Sequence, residues 1–206
     1  MILIGQYDSP FTRRVGIALT HYGVVFEHRP WSIMGDANKI RPYNPLLRVP
    51  TLVRDDGSVL VETLAILDFV DSLAPPGKAL ISATEPERSA VLRLSGFASG
   101  ISDAAVSLFY EMKLHAKASP MLVERRRGQI RDTLAMLELE APAQDFWFGV
   151  SLTHADIAVA ASIGHLAGAH PDLFSRIMTP RLVAHAERAE ALPEFREIYQ
   201  PFIAPA

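Results

Sequence analysis

The chain has 206 residues, with 20 Lys plus Arg against 23 Asp plus Glu and so a formal net charge of −3; 49% of its residues are apolar and 21% charged, the composition of an ordinary globular protein long enough to bury a real core. It contains no Cys, which excludes structural disulfides, thiolate-ligated zinc, iron–sulfur clusters and a cysteine nucleophile, so any sulfur chemistry has to arrive with a ligand. The slight acidity argues against a phosphate-tracking surface, and the one basic run, Arg125 to Arg127, is flanked by Glu124 and Asp132 and reads as a solvated helix face.

Along the chain, the first apolar run is Met1 to Ile4, with no basic segment ahead of it, so no secretory signal is expected there. A helical pattern follows on Phe11, Val15, Ala18, Leu19 and Tyr22, then a short apolar run from Val24 to Phe26. This reads as β-α-β, with the first two strands parallel. After a polar stretch, Thr51 to Val53 and Val59 to Val61 flank the turn signal Asp55, Asp56, Gly57 and read as a hairpin. A helix with Leu64, Ile66, Leu67 and Val70 inward closes a first domain over 1–75. Residues 76–83 form a linker, beside the breakers Pro75, Pro76 and Gly77.

From 84 to 206 the pattern is helical. Thr84 to Glu87 reads as a capping box with Pro86 in the first turn of a long helix through Val91, Leu94, Phe97 and Ile101. A second helix spans about 121–140. Thr153 to Asp156 is another capping box, with Leu152 and Ile157 at the spacing of a hydrophobic staple. The apolar stretch 157–169 is interrupted by Ser162, Gly164, His165 and Gly168 and falls short of the roughly 20 residues a membrane span needs. It reads as a buried core helix, which points to a cytoplasmic protein with no membrane partner. Short helices near 180–190 and 193–200 end the chain.

Three places carry the residue types of a binding site. Ser9 stands at the N-cap position with Pro10 after it, so its hydroxyl lies among unpaired N–H groups at the positive end of a helix dipole, whether it merely caps or also binds. Pro50 opens an apolar strand and cannot donate to a ladder; a cis Val49–Pro50 bond would turn the Val49 backbone outward, open to an extended peptide. Glu62 and Thr63 stand where a strand passes into a helix, suited to a ligand ammonium and a ligand carboxylate respectively. The seven His residues show no metal-binding spacing, and there is no phosphate loop or dinucleotide fingerprint. His154 and His165 read as structural.

In this order and spacing the sequence resembles the cytosolic glutathione transferase superfamily, in its bacterial, serine-type form. The resemblance covers nearly the whole chain. It rests on Ser9-Pro10-Phe11 with Arg13-Arg14-Val15, on Asn44-Pro45-Leu46 through Val49-Pro50-Thr51-Leu52, on Glu62-Thr63 with Ala65-Ile66-Leu67, and on Leu152 through Ala158. It implies an α/β thioredoxin-like first domain, β-α-β-α-β-β-α, an all-α second domain and a homodimer. Glutathione is the implied co-substrate, with no prosthetic group and no metal, and a small apolar electrophile is the second substrate. Carried over by position, Ser9 or alternatively Tyr7 activates the thiol, Phe11 lies in the site, Val49 before a cis Pro50 pairs with the cysteinyl unit, and Glu62 and Thr63 hold the γ-glutamyl end. Asp103 reaches it from the other subunit, and Lys39, Arg41 or Arg48 meets the glycine carboxylate. Val106, Phe109 and Tyr110 line the electrophile pocket. The sequence departs from the family pattern at Leu47, where Gly is usual and a side chain is expected to crowd the loop, and at Thr63, which replaces a frequent Ser. A non-catalytic binding or regulatory relative, or a glutathione-dependent peroxidase, is the alternative.

Overall fold

The computed structural model describes residues 1–176 and 178–204 and divides into two compact units, Met1–Ser82 with Leu192–Ala206, and Ala83–Ala191. The first unit is built on strands β1 (Ile2–Ile4), β2 (Glu27–Arg29), β3 (Thr51–Val53) and β4 (Val59–Val61). They form one sheet in the order β2-β1-β3-β4; β1 and β2 are parallel, and the other pairs antiparallel. Helices α1 (Pro10–His21), α2 (Ala37–Ile40) and α3 (Thr63–Asp71) connect them. Leu3, Ile4, Leu52, Ile17, Ile66 and Val70 are fully buried in its core.

Several sequence expectations shift in register. The second strand starts at Glu27 rather than Val24, because Gly23, at φ +69°, ends the helix and Val24 N–H still donates to the Leu19 carbonyl; Val25 is left exposed. Tyr22 lies just past the end of α1, where its hydroxyl donates to Asp71 at 2.6 Å and accepts from Leu80 N–H at 2.9 Å. That bond ties the linker to the first unit through buried Leu80. In α3, Ile66, Leu67 and Val70 face inward as expected, but Leu64 is exposed.

The second unit contains α4 (Glu87–Leu114), α5 (Pro120–Glu140), α6 (His154–Ala169) and α7 (Pro180–Glu190). Nearly every side chain of α6 from His154 to Leu166 is buried, as a helix apolar on all sides must be. Its small residues allow close approach to α4, where Ser162 and Ser102 hydroxyls meet at 2.8 Å. The capping box at Thr153 forms, with the Asp156 carboxylate accepting from Thr153 N–H at 2.8 Å and from its hydroxyl at 2.6 Å. Where a box is expected at Thr84 to Glu87, α4 starts later, at Glu87 behind Pro86, which offers no side-chain cap, and the Ser89 N–H donates to Glu85 at 3.0 Å. No described helix is long and apolar enough to cross a membrane.

The final helix, α8 (Pro193–Glu197), is shorter than expected, and with the residues after it falls in the first unit, not the second. The reason is buried Arg13 of α1, which donates to the carbonyls of Ile198 and Phe195 at 2.8 and 3.2 Å.

Candidate functional site

The N-terminus of α1 and the turn ahead of β3 meet at Gly5. At φ +133° this residue adopts a backbone that side-chain-bearing residues rarely take. A Cβ there would lie 2.5 Å from the Thr12 hydroxyl oxygen and 2.8 Å from Val49 Cβ. The missing side chain is what lets the Val49 turn sit against the first turns of α1.

Ser9 caps α1, its Oγ accepting from Thr12 N–H at 3.3 Å. An oxygen used as acceptor leaves the hydroxyl hydrogen for donation. Pro10 occupies the first helical turn and Phe11, beside it, is half-buried. Tyr7 is placed differently. Its ring stacks on His28 with centroids 3.8 Å apart, and a Cβ at Gly16 would lie 3.0 and 3.6 Å from Tyr7 Cε1 and Cζ. Gly16 is seven residues beyond Ser9, about 10 Å along the helix, so the phenol end of the ring lies away from the helix N-terminus. Burial, aided by the negative charge of Glu197, pushes the Tyr7 hydroxyl up to about 12.

The Val49–Pro50 peptide is cis, as expected. Among the described residues none pairs with the Val49 N–H or C=O. Asn44, buried, shapes this turn: its amide donates to the Arg48 carbonyl at 2.9 Å and to Thr51 Oγ1 at 3.0 Å, and its oxygen accepts from Leu46 N–H at 3.0 Å. Leu47 keeps the left-handed backbone, φ +52°, that a Gly would take. Its side chain does not crowd the open face of the loop; it packs onto the buried cluster of Ile4, Ile40 and Val53.

Glu62 caps α3 at φ +74°, its carboxylate accepting from Thr63 N–H at 2.9 Å. This corrects one expectation: that N–H is already occupied by Glu62 rather than held open for a ligand carboxylate. Glu62 itself is exposed, and Thr63 buried. Arg14, buried in α1, feels the Glu62 charge; burial nevertheless lowers its guanidinium to about 10. Arg41 and Arg48 are exposed, and Lys39 is engaged by Asp36 at 2.7 Å. In the second unit Asp103 is exposed on α4, Val106 and Tyr110 are half-buried, and Phe109 is buried against His170. Sequence alone gave no role to Gly5 or Thr12, nor to Arg14 and Asn44, which it offered only as members of the motifs. Of these only Asn44, next to Pro45, carried a local turn signal.

Residues 3–79 match the family model of the glutathione S-transferase N-terminal domain, and residues 120–188 that of its C-terminal domain. The chain belongs to the glutathione S-transferase family. A crystal structure of a family member from Pseudomonas fluorescens Pf-5 with bound glutathione is 31% identical, with 98% of this chain and 99% of that one aligned at a TM-score of 0.87. A glutathione S-transferase from Methylobacterium radiotolerans in complex with glutathione sulfonate is 29% identical, with a TM-score of 0.91 over 100% and 98% of the two chains. The uncharacterized GST-like protein YibF of Escherichia coli K12 is 29% identical over 81% of this chain and 82% of its own. Among the described residues no group of three or more His, Asp or Glu is arranged to hold a metal ion.

Proposed function

We propose that this glutathione S-transferase binds glutathione along the Val49 backbone, stabilises its thiol as the thiolate and conjugates it to a small apolar electrophile. The observation that carries the reading is the pairing of two features across Gly5: an outward main chain with no partner, before a cis proline, and a helix-capping hydroxyl with its proton to give. The glutathione-bound relatives support the choice of tripeptide.

An unperturbed thiol has a pKa of about 8.5, and lowering it by about two units needs about 2.7 kcal/mol of selective stabilisation. A hydrogen bond to a charged acceptor supplies roughly 1.5–3 kcal/mol, and the helix N-terminus about 0.3–1 kcal/mol. Ser9 on α1 is therefore sufficient, and the thiolate attacks the electrophilic carbon directly, expelling its leaving group as an anion. The placement of the Tyr7 ring beside Gly16 favours Ser9 over Tyr7 as donor. Phe11 and Pro50 flank the tripeptide, Glu62 meets its ammonium, and the Thr63 hydroxyl, rather than its N–H, assists at the γ-glutamyl end. Arg48, next to Val49, takes the glycine carboxylate more readily than Lys39, whose ammonium is already paired. Val106, Phe109 and Tyr110 take the electrophile, Asp103 completes the site in a homodimer, and the protein works in the cytoplasm with no metal or prosthetic group.

The test is calorimetry with reduced glutathione, followed by turnover of a chloronitrobenzene and by titration of the bound thiolate's ultraviolet absorbance in Ser9→Ala. Expected are binding, turnover, and a thiol pKa raised by about one to two units in the variant, the equivalent of the lost hydrogen bond. No binding heat at millimolar glutathione would overturn the reading; binding without turnover would leave a non-catalytic glutathione-binding protein. An unchanged titration would remove Ser9 as the donor.

A further inference from the structure

Beyond α8 the chain runs beside the loop that joins β1 to α1. Its approach is anchored by Arg13, which donates to the Ile198 and Phe195 carbonyls and lies over the rings of Phe195 and Tyr199. Ile198 fills the space beside Gly16, where a Cβ would lie 2.7 Å from its side chain. Two further contacts reach the loop itself. The side-chain oxygen of Gln200 accepts from the Tyr7 N–H at 3.2 Å, and the Asp8 carboxylate accepts from the Ile203 N–H at 3.2 Å. Ser9 is the next residue in the chain.

The Tyr7 ring, stacked on His28, and the Asp8 carboxylate, which also takes the Ser9 N–H, hold the side chains of this loop. Its backbone makes one internal bond, Ser9 N–H to the Gln6 carbonyl at 3.2 Å, and the Tyr7 N–H finds its acceptor almost two hundred residues away. A hydroxyl that stabilises an anion does so only if it is already aimed, because reorienting it during reaction costs part of the gain. The path of residues 6 to 9 sets where Ser9 Oγ sits over the end of α1, and the terminal segment helps to hold that path through the Tyr7 N–H.

We propose that Gln200 is a positioning residue: through the Tyr7 N–H it holds the loop that carries Ser9, so that the hydroxyl is pre-aimed at the thiolate. This rests on the reading of Ser9 given above. It makes the last turn of chain part of the thiol-activating apparatus, although Gln200 touches neither tripeptide nor electrophile. Glutathione affinity, which comes from the Val49 backbone and Glu62, does not depend on it.

Gln200→Met keeps the length of the side chain and removes the acceptor. In the full chain with saturating glutathione, the ionisation constant of the bound thiol is expected to fall about three- to tenfold, the worth of one neutral hydrogen bond, which lowers the thiolate fraction at neutral pH, and kcat for the chloronitrobenzene with it, by about 1.5- to threefold. The dissociation constant for glutathione stays within about twofold, since the groups that bind it are untouched. Tyr7 amide exchange speeds up, and Gln200→Glu, which keeps an acceptor oxygen, restores its protection. If the wild-type complex shows the thiolate band and Gln200→Met titrates identically, the positioning role is overturned while the Ser9 reading stands. If the wild-type complex shows no thiolate band, both fall. A loss of glutathione affinity that matches the loss of kcat/KM would also overturn it, by making Gln200 a binding determinant.

Discussion

Replacing Asn44 by Ala tests how the turn at the cis proline is held. The side chain is buried and makes three hydrogen bonds, two donated to Arg48 O and Thr51 Oγ1 and one accepted from Leu46 N–H. They are not worth the same. Leu46 is two-thirds exposed, so its N–H regains water and the bond contributes little. Thr51 is fully buried, and its hydroxyl keeps its bond to the Arg48 carbonyl at 3.0 Å but loses the amide that Asn44 gives it. One buried and one half-buried bond at about 1 kcal/mol each, plus the penalty of one poorly satisfied acceptor, give a loss of about 2–4 kcal/mol. Urea unfolding followed by circular dichroism measures it. The same loosening frees Val49 from its outward pose, so glutathione affinity by calorimetry is expected to fall about tenfold as a preorganised strand becomes a mobile one. Asn44→Asp keeps only the bond from Leu46 and buries a charge, and is expected to do no better. An Asn44→Ala protein within about 0.5 kcal/mol of wild type, or one destabilised yet binding glutathione normally, would refute the assignment of this network to the turn.

Gly5→Ala is expected to cost about 3 kcal/mol or more, because its Cβ meets Thr12 Oγ1 and Val49 Cβ inside contact distance at a positive φ; a thermal melt within about a degree of wild type would contradict the packing. His28 is held below the ordinary imidazole pKa by burial, so the unfolded chain takes up a proton before the folded one. Its contribution to stability is full above the unfolded pKa of about 6.5, shrinks as pH falls below that value and is lost once pH passes through the lower folded pKa. His28→Gln is expected to flatten the urea midpoint between neutral pH and mild acid, and an unchanged slope would exclude His28. Asp156, fully buried, accepts from Trp147 N–H, Thr153 N–H and hydroxyl, and His185 Nε2. Asp156→Ala is expected to cost about 3–5 kcal/mol, read as loss of soluble folded protein or a steep drop in melting temperature.

Periodicity and punctuation reached the architecture because the elements that define it are local. Ser9 with Pro10 marks the start of α1 and Asp55 to Gly57 marks the hairpin, while Thr153 to Asp156 marks α6; each signal lies within four residues of the structure it specifies. The same local logic misplaced the start of α4. Thr84 and Glu87 have the spacing of a capping box, yet Pro86 between them takes the cap position, and Glu85 supplies the carboxylate instead. A spacing rule identifies candidates for a cap and cannot choose between two acids on either side of a proline.

The site residues to which sequence alone gave no role act through neighbours that their local pattern does not show. Gly5 reads as a residue after a strand; its role is to leave room for Thr12, in the first turn of α1, and for Val49, distant in sequence. Arg14 carries the signal of a surface cation on a helix, yet it is buried with the Glu62 charge as its counterpart. Leu47 shows why departure from a family pattern is not by itself a loss. A left-handed backbone disfavours Leu over Gly by roughly 1–2 kcal/mol, but the side chain that incurs this cost packs onto Ile4, Ile40 and Val53. Burying much of a Leu offsets about 1.5–3 kcal/mol. The two terms nearly cancel, so the loop keeps the conformation that turns Val49 outward with or without the glycine. Function constrains the backbone angle there, and packing decides which residue can supply it.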